Sequence, residues 1–320
     1  MQDALGRNIL ACIGHTSLVP LQRVVPAGAA RILLKIESEN PTGSMKDRMA
    51  LAMIEAAEAD GRLPPGGPVV EYTTGSTGTS LALVCGVKGH PLHIVTSDAF
   101  APEKRDQMAI MGARLEVLAS ESGRMTEKLT LDMVDAARRI AAETGAYWTD
   151  QLRNVDQAAG YHRLAEEVWA QSGGRIDAFV QSVGSSGCIR GVSERLRRHA
   201  AGLNVIAVEP EESPVLSGGQ KGAHGIDGMG AGFVVPLWRP DVADAIERVS
   251  TEQAIGMCLR LSREEGLFCG ISTGANVSAA LRVAQRLGPG ATVVTLMCDS
   301  GMKYVSKLSQ AWQARAAVTL

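Results

Sequence analysis

Short apolar runs and amphipathic stretches alternate along most of this chain. RILLKIE (Arg31 to Glu37), PVVEYTT (Pro68 to Thr74), LHIVTS (Leu92 to Ser97), ARLEVL and AYWTD read as strands. Between them, a helix follows Lys46 and stops at GRLPPGG, where Gly61, Pro64 and Pro65 cannot extend it. GSTGTSLALVCGVKG turns straight from a strand into a helix, Glu103 to Met111 is helical, and a longer helix runs from about Met125 to Glu143. The second half repeats the alternation. GYHRLAEEVWAQSG is a helix, DAFVQSVGSSG a strand entering a Gly/Ser loop, CIRGVSERLRRHA a helix and NVIAVEP a strand. SGGQKGAHGIDGMGAGF is too long and polar for a core element, and a loop of that length between regular elements signals function or disorder. Helices at Thr251 to Glu265 and Gly274 to Leu287, the strand ATVVTLM and a last helix from about Met302 complete the pattern. It predicts an α/β fold built on parallel sheets.

With 320 residues the chain has room for one large or two ordinary domains. A net charge of -2, no basic tract and no apolar run of spanning length argue against nucleic-acid and membrane partners. MQDALGRNIL lacks the regions of a signal peptide, so a cytoplasmic location is expected. Cys12, Cys85, Cys188, Cys258, Cys269 and Cys298 form no CxxC pair, and His15, His93, His162 and His224 show no ligand spacing; no metal is expected. Met45, Met49 and Met53, at helical spacing, read as packing residues.

The chemistry gathers at loops between strand ends and helices, where doubly wound sheets place ligands. In NPTGSMKDRMA (Asn40 to Ala50), Lys46 stands where turn residues give way to a helix. Such a lysine is either a solvated charge or a buried amine able to form a Schiff base. TTGSTGTS (Thr73 to Ser80) offers hydroxyls and free helix-start amides, suited to a carboxylate or to plain N-capping. VGSSGCIRG (Val183 to Gly191) resembles a phosphate cradle, although Gly184, Gly187 and Gly191 do not match the dinucleotide GxGxxG. MCDSGMK (Met297 to Lys303) ends the last strand with Asp299 and Ser300, both able to cap a helix. A lysine, a phosphate cradle, a carboxylate site and a polar strand end are what pyridoxal phosphate needs when it carries an amino acid.

The stretches IGHTSLVPL, NPTGSMKDR, TTGSTGT, DQLRN, GSSGCIRG, VEPEESPVLSGG, GMGAGF, GISTGA and CDSGMKY occur in an order that is similar to that of a known family. The chain resembles the cysteine synthase and cystathionine β-synthase group of fold type II pyridoxal-phosphate-dependent enzymes over nearly its whole length. The resemblance implies two doubly wound α/β domains of the tryptophan synthase β type with the cofactor in the cleft. Residues 45–149 would form a smaller, mobile domain for the substrate carboxylate, and residues 1–44 with 150–320 a larger cofactor-phosphate domain. It also implies a homodimer.

Residue by residue, the resemblance implies Lys46 as the aldimine lysine and general base. Thr73, Thr74, Ser76 and Thr77, with Gln151 nearby, would bind the substrate carboxylate. Gly184, Ser185, Ser186, Gly187 and Cys188 would hold the phosphate, and Gly228 would face the imine. Ser300 is favoured over Asp299 as partner of the pyridine nitrogen, since neighbouring side chains in extended backbone point opposite ways. A neutral hydroxyl there disfavours a long-lived quinonoid and favours expulsion of a β-leaving group. Three positions depart from the family pattern: Ser76 replaces a usual asparagine that contacts the ring hydroxyl, Ser186 a usual glycine, and Cys188 a usual threonine. The implied activity is β-elimination and β-replacement on serine or an O-activated serine with a small nucleophile, as in O-acetylserine sulfhydrylase, through an aminoacrylate. The alternatives are elimination alone, as in a serine or threonine dehydratase or a cysteine desulfhydrase, and a catalytically silent scaffold.

Overall fold

A computed structural model describes residues 8–121, 123 and 126–318, with side chains to residue 315. In chain order the first half contains β1 (Leu18–Pro20), β2 (Arg31–Ile36), α1 (Lys46–Ala59), β3 (Val69–Tyr72), α2 (Ser76–Lys88), β4 (Leu92–Ser97), α3 (Pro102–Ile110), β5 (Arg114–Leu118), α4 (Glu127–Thr144) and β6 (Tyr147–Trp148). The second half contains α5 (Gln157–Gln171), β7 (Ala178–Ser182), α6 (Gly187–His199), β8 (Asn204–Pro210), β9 (Ala245–Val249), α7 (Thr251–Arg260), α8 (Ile271–Leu287), β10 (Thr292–Met297) and α9 (Val305–Val318). The start expected for the fourth helix, at Met125, lies outside the described residues.

The strands form two sheets, one of six strands in the order β1-β2-β10-β7-β8-β9 and one of four in the order β5-β4-β3-β6. All neighbours run parallel except β1 and β2. The α/β architecture with parallel sheets is therefore the one the hydrophobic pattern predicts. Alternation along β2 explains how both faces are covered: Ile32, Leu34 and Ile36 pack toward α7 and α8, while Leu33 packs on the opposite side with residues of α5 and α6. The small sheet is covered likewise, with Val69 and Ile94 facing α1 and α2 and Val70 and Val95 facing α4.

Helix α1 joins the two cores. Met45, Met49 and Met53 pack into the large sheet's core, and Ala50, Leu51, Ile54 and Ala57 into the small sheet's. Its close approach to α5 requires Gly160, where a Cβ would lie 2.3 Å from the Arg48 carbonyl oxygen. A buried ionic cluster ties these elements together. Arg48 binds Glu37 (2.7 Å) and Glu167 (2.7 Å), and Lys35 binds Glu167 (2.7 Å). Five cysteines, Cys85, Cys188, Cys258, Cys269 and Cys298, are buried as free thiols, and Cys12 is exposed.

Two strands escape the pattern. β1 has three residues, and β9 (AIERV) carries two charges on a partly exposed edge, so neither shows an apolar run. The helix expected from Thr251 to Glu265 changes after Arg260 into a π-helical turn, Leu261–Glu265, closed by Gly266 in the left-handed region (φ 71°).

Candidate active site

Lys46 opens the first turn of α1, at the junction of the two sheets. The preceding loop is fixed from within by Asp47, a fully buried carboxylate that accepts from Thr42 N–H (2.8 Å), Thr42 Oγ1 (2.5 Å) and Ser80 Oγ (2.6 Å). Burial nevertheless pushes its carboxyl above the ordinary range, against the pull of those bonds. The loop is fixed from outside by the strand end after β10: Met45 N–H donates to the Cys298 carbonyl (2.9 Å), and Ser300 N–H to that of Gly43 (2.9 Å).

Thr73 to Thr77 enter the same space from the end of β3. Gly75 at φ 145° makes the sharp entry into α2, and a Cβ there would collide with the Lys104 stem at 2.5 Å. Thr77 Oγ1 donates to Gln151 Oε1 (2.9 Å), whose amide Nε2 donates to the Tyr72 carbonyl (2.8 Å). Gln151 is held in turn by Glu71, which accepts from its N–H (2.9 Å) and from Thr149 Oγ1 (2.5 Å).

The Gly/Ser loop closes another side, ahead of α6. Gly184 packs against the loop of Gly228, where a Cβ would lie 2.5 Å from the Gly228 carbonyl oxygen. Ser185 Oγ donates to Gln157 Oε1 (2.9 Å). Ser186 takes the left-handed conformation (φ 72°), which explains why a glycine is at home at this position. Its buried Oγ has no hydrogen-bond partner among the described residues.

These loops enclose one cleft. Of the residues singled out from sequence, Lys46, Thr73, Thr74, Ser76, Thr77, Gln151, Gly184, Ser185 and Gly228 border it. Ser186, Gly187 and Cys188 lie behind the lining at the start of α6. Cys188 packs in the core, and burial pushes its thiol far up. The structure does not bring Ser300 into the cleft. Its Oγ accepts from Met302 N–H (3.2 Å) and caps a short 3-10 turn, while Asp299 borders the cleft instead. Alternation across this extended pair holds, but its phase is the opposite of the one favoured from sequence.

The cleft also has a cationic wall that the sequence did not reveal. Lys104 Nζ reaches Asp227 (2.7 Å) and lies 4.1 Å from the centre of the Tyr304 ring. Lys307 binds Asp227 from another side (3.0 Å). Burial pushes Asp227 upward, but the two ammonium groups outweigh it and hold the carboxyl well below its usual range. On a sequence these are ordinary surface charges in EKRD and GIDG, separated by more than a hundred positions.

Comparison with known proteins decides the class of this site. Residues 9–299 match the family described as pyridoxal-phosphate dependent enzyme. The chain belongs to that family. A cysteine synthase of Staphylococcus aureus (strain N315) is 39% identical over 302 residues, covering 93% of this chain and 95% of that protein. A cysteine synthase from Entamoeba histolytica superposes with a TM-score of 0.88 at 34% identity, over 96% of this chain and 91% of the other. An O-ureido-L-serine synthase does so with a TM-score of 0.88 at 33% identity, covering 94% of each chain. This enzyme thus has the cysteine synthase type of fold, with pyridoxal phosphate as its cofactor.

The cleft fits that group. It offers the Lys46 amine, and two buried polar atoms near it, Ser186 Oγ and Asp299 Oδ1, have no donor or acceptor among the described residues. Backbone at Gly228 is open to close approach, with no atom within 4 Å of a Cβ placed there. Among the described residues there is no cluster that could hold a metal ion, and no helix is long and apolar enough to cross a membrane.

Proposed function

We propose that this enzyme performs β-replacement on an O-activated serine of the O-acetylserine type, using a small nucleophile such as sulfide. The observation that carries this reading is the convergence of Lys46, the Thr73–Thr77 loop and the Gly184–Ser185 loop on one cleft, in a chain 39% identical to a cysteine synthase. Bound pyridoxal phosphate supplies the electron sink that makes the substrate's Cα–H acidic and allows the β-substituent to leave.

The residues divide the remaining work. The Lys46 amine would anchor the cofactor and, with the amino acid bound, would be the base for the Cα proton. Thr73, Thr74 and Thr77, with Gln151, bind the substrate carboxylate and aim Cα at Lys46. Gly184, Ser185, Ser186, Gly187 and the start of α6 hold the phosphate, while Gly228 borders the reacting face. Ser76 stands where a longer amide is usual, and its one hydroxyl, which donates to Asp299 Oδ2 (3.1 Å), serves cofactor and substrate together less easily than that amide would. Movement of residues 45–149 against the remainder closes the cleft over substrate, although α1 is packed into both cores and must act as the hinge. A cytoplasmic homodimer completes the proposal.

The experiment is a product analysis of the cofactor-loaded enzyme with O-acetylserine, O-phosphoserine, serine, cysteine and threonine, each with and without sulfide. A new β-substituted amino acid supports replacement, and a 2-oxo acid with ammonia as the main product sinks it in favour of elimination. Lys46→Ala should abolish turnover with every substrate while the fold, followed by circular dichroism, is retained. Residual turnover at the wild-type rate would refute the assignment of Lys46.

A further inference from the structure

Asp227 and Gly228 form the tip of the long glycine-rich segment where it meets the cleft. Both sides of the tip are pinned: Gly225 N–H donates to Thr251 Oγ1 (2.9 Å) and Gly230 N–H to the Val183 carbonyl (3.0 Å). Among the described residues no backbone hydrogen bond ties Asp227 or Gly228 themselves to another segment. The tip is held instead through the Asp227 side chain, whose two oxygens meet Lys307 from α9 (3.0 Å) and Lys104 from α3 (2.7 Å). Lys104 is 2% exposed. Its stem backs the sharp turn at Gly75, where a Cβ would lie 2.5 Å from the lysine Cδ and 3.1 Å from its Cβ and Cγ. One side chain therefore touches the Thr73–Thr77 loop with its stem and the Gly228 tip with its charge. Lys221 and Glu127 also join this segment to α4, but Lys221 is exposed, and exposed pairs contribute little.

We propose that Lys104 is a positioning residue: with its stem on Gly75 and its ammonium on Asp227, it couples the loop that binds the substrate carboxylate to the tip that borders the reacting face. The proposal rests on the reading of Thr73–Thr77 and Gly228 given above and adds what keeps the two in step. A substrate carboxylate held by Thr73, Thr74 and Thr77 fixes the backbone at Gly75. Because glycine lets the lysine stem lie directly on that backbone, the loop cannot shift without moving Lys104, and Lys104 carries Asp227 and Gly228 with it. A charge-assisted bond suits this role, since it has a defined length and direction that an apolar contact lacks. Apolar side chains of similar volume would match or exceed the stability of such a buried pair, so its presence in the cleft wall is explained by geometry.

The test separates stem from charge. Lys104→Met keeps the stem and removes the ammonium, Lys104→Ala removes both, and Lys307 stays on Asp227 in each, so no carboxylate is left unpaired. With O-acetylserine and sulfide, Lys104→Met and Asp227→Asn should each lower kcat roughly ten- to a hundred-fold at little-changed KM, the worth of a hydrogen bond to a charged group. The double variant should be no worse than either, because both remove one bond. Lys104→Arg should recover part of the loss, and Lys104→Ala should raise KM for the amino acid as well. A readout independent of turnover is amide hydrogen exchange in the cofactor-loaded enzyme. Saturating L-alanine should slow exchange at residues 225–230 in wild type but not in Lys104→Met, while residues 73–77 are protected in both. Losses that add in the double variant, or a loss in Asp227→Asn with none in Lys104→Met, overturn the proposal and set Asp227 to work on the reacting groups by itself. Protection of 225–230 that survives in Lys104→Met overturns it too. Absence of a substituted product from O-acetylserine, with that protection still depending on Lys104, would refute the proposed activity and leave the coupling standing.

Discussion

Ser186 holds a conformation that L residues avoid, at φ 72°, with its hydroxyl buried and unpartnered among the described residues. Left-handed backbone costs a non-glycine residue about 1–2 kcal/mol, part of which glycine returns through its freer unfolded state. Ser186→Gly should therefore stabilise the cofactor-free protein by about 1 kcal/mol, read as a higher urea midpoint at unchanged slope. If the hydroxyl is a phosphate ligand, the same variant should bind the cofactor more weakly. The replacement at 186 was visible in the sequence, but the reason glycine suits the position was not, because a backbone angle has no signature in residue type. Asp299 and Ser300 show the same limit. The period of two follows from extended backbone, whereas its phase depends on the clamp between Gly43 and Gly270. Lys104 and Asp227 were illegible for a different reason: a charge pair built from distant segments is defined only once the chain has folded.

At the scale of elements, β3 carries a fully buried acid, Glu71, that fastens the segment after β6. It accepts from Tyr72 N–H (2.8 Å), Gln151 N–H (2.9 Å) and Thr149 Oγ1 (2.5 Å), and burial pushes its carboxyl up to about 7 despite those bonds. The folded protein thus binds this proton more tightly than the unfolded chain does, whose carboxyl titrates near 4.5. The stability this proton confers is complete below about pH 4.5 and lost as pH rises through about 7. Urea midpoints measured across that window should fall for wild type, and Glu71→Gln should flatten the decline. Because Glu71 positions Gln151, the variant should also raise KM for the amino acid more than it lowers kcat. The strand containing Glu71 was evident from PVVEYTT, and most helices and buried strands were found within a few residues. β1 and β9 were not, since short or half-exposed edge strands need no continuous apolar run.

For the molecule as a whole, the cluster of Lys35, Glu37, Arg48 and Glu167 joins β2, α1 and α5 around the lysine loop. Although burial opposes ionisation, Arg48 and then Lys35 hold the Glu167 carboxyl down at about 2. Its contribution is present above the ordinary 4.5 and is lost as pH falls through about 2, so acid unfolding should set in across that interval. Glu167→Ala leaves two buried cations short of a partner and should destabilise by about 3–5 kcal/mol, measurable by denaturant titration. The α/β class and the parallel sheets were legible because buried strands and amphipathic helices leave different periods. The strand order was not: β10, the last strand, lies between β2 and β7, and no local pattern announces that insertion.

The placement of sulfur has a practical consequence. Cys12 alone is exposed, and burial drives the thiols of Cys85, up to about 12, and of Cys298 away from the reactive thiolate form. An alkylating reagent should accordingly modify a single equivalent in the native protein and all six after denaturation. Cys298 does border the cleft, but as a neutral buried thiol it does not compete as a nucleophile with the sulfide this enzyme is proposed to use, and without an oxidant it forms no persulfide with it.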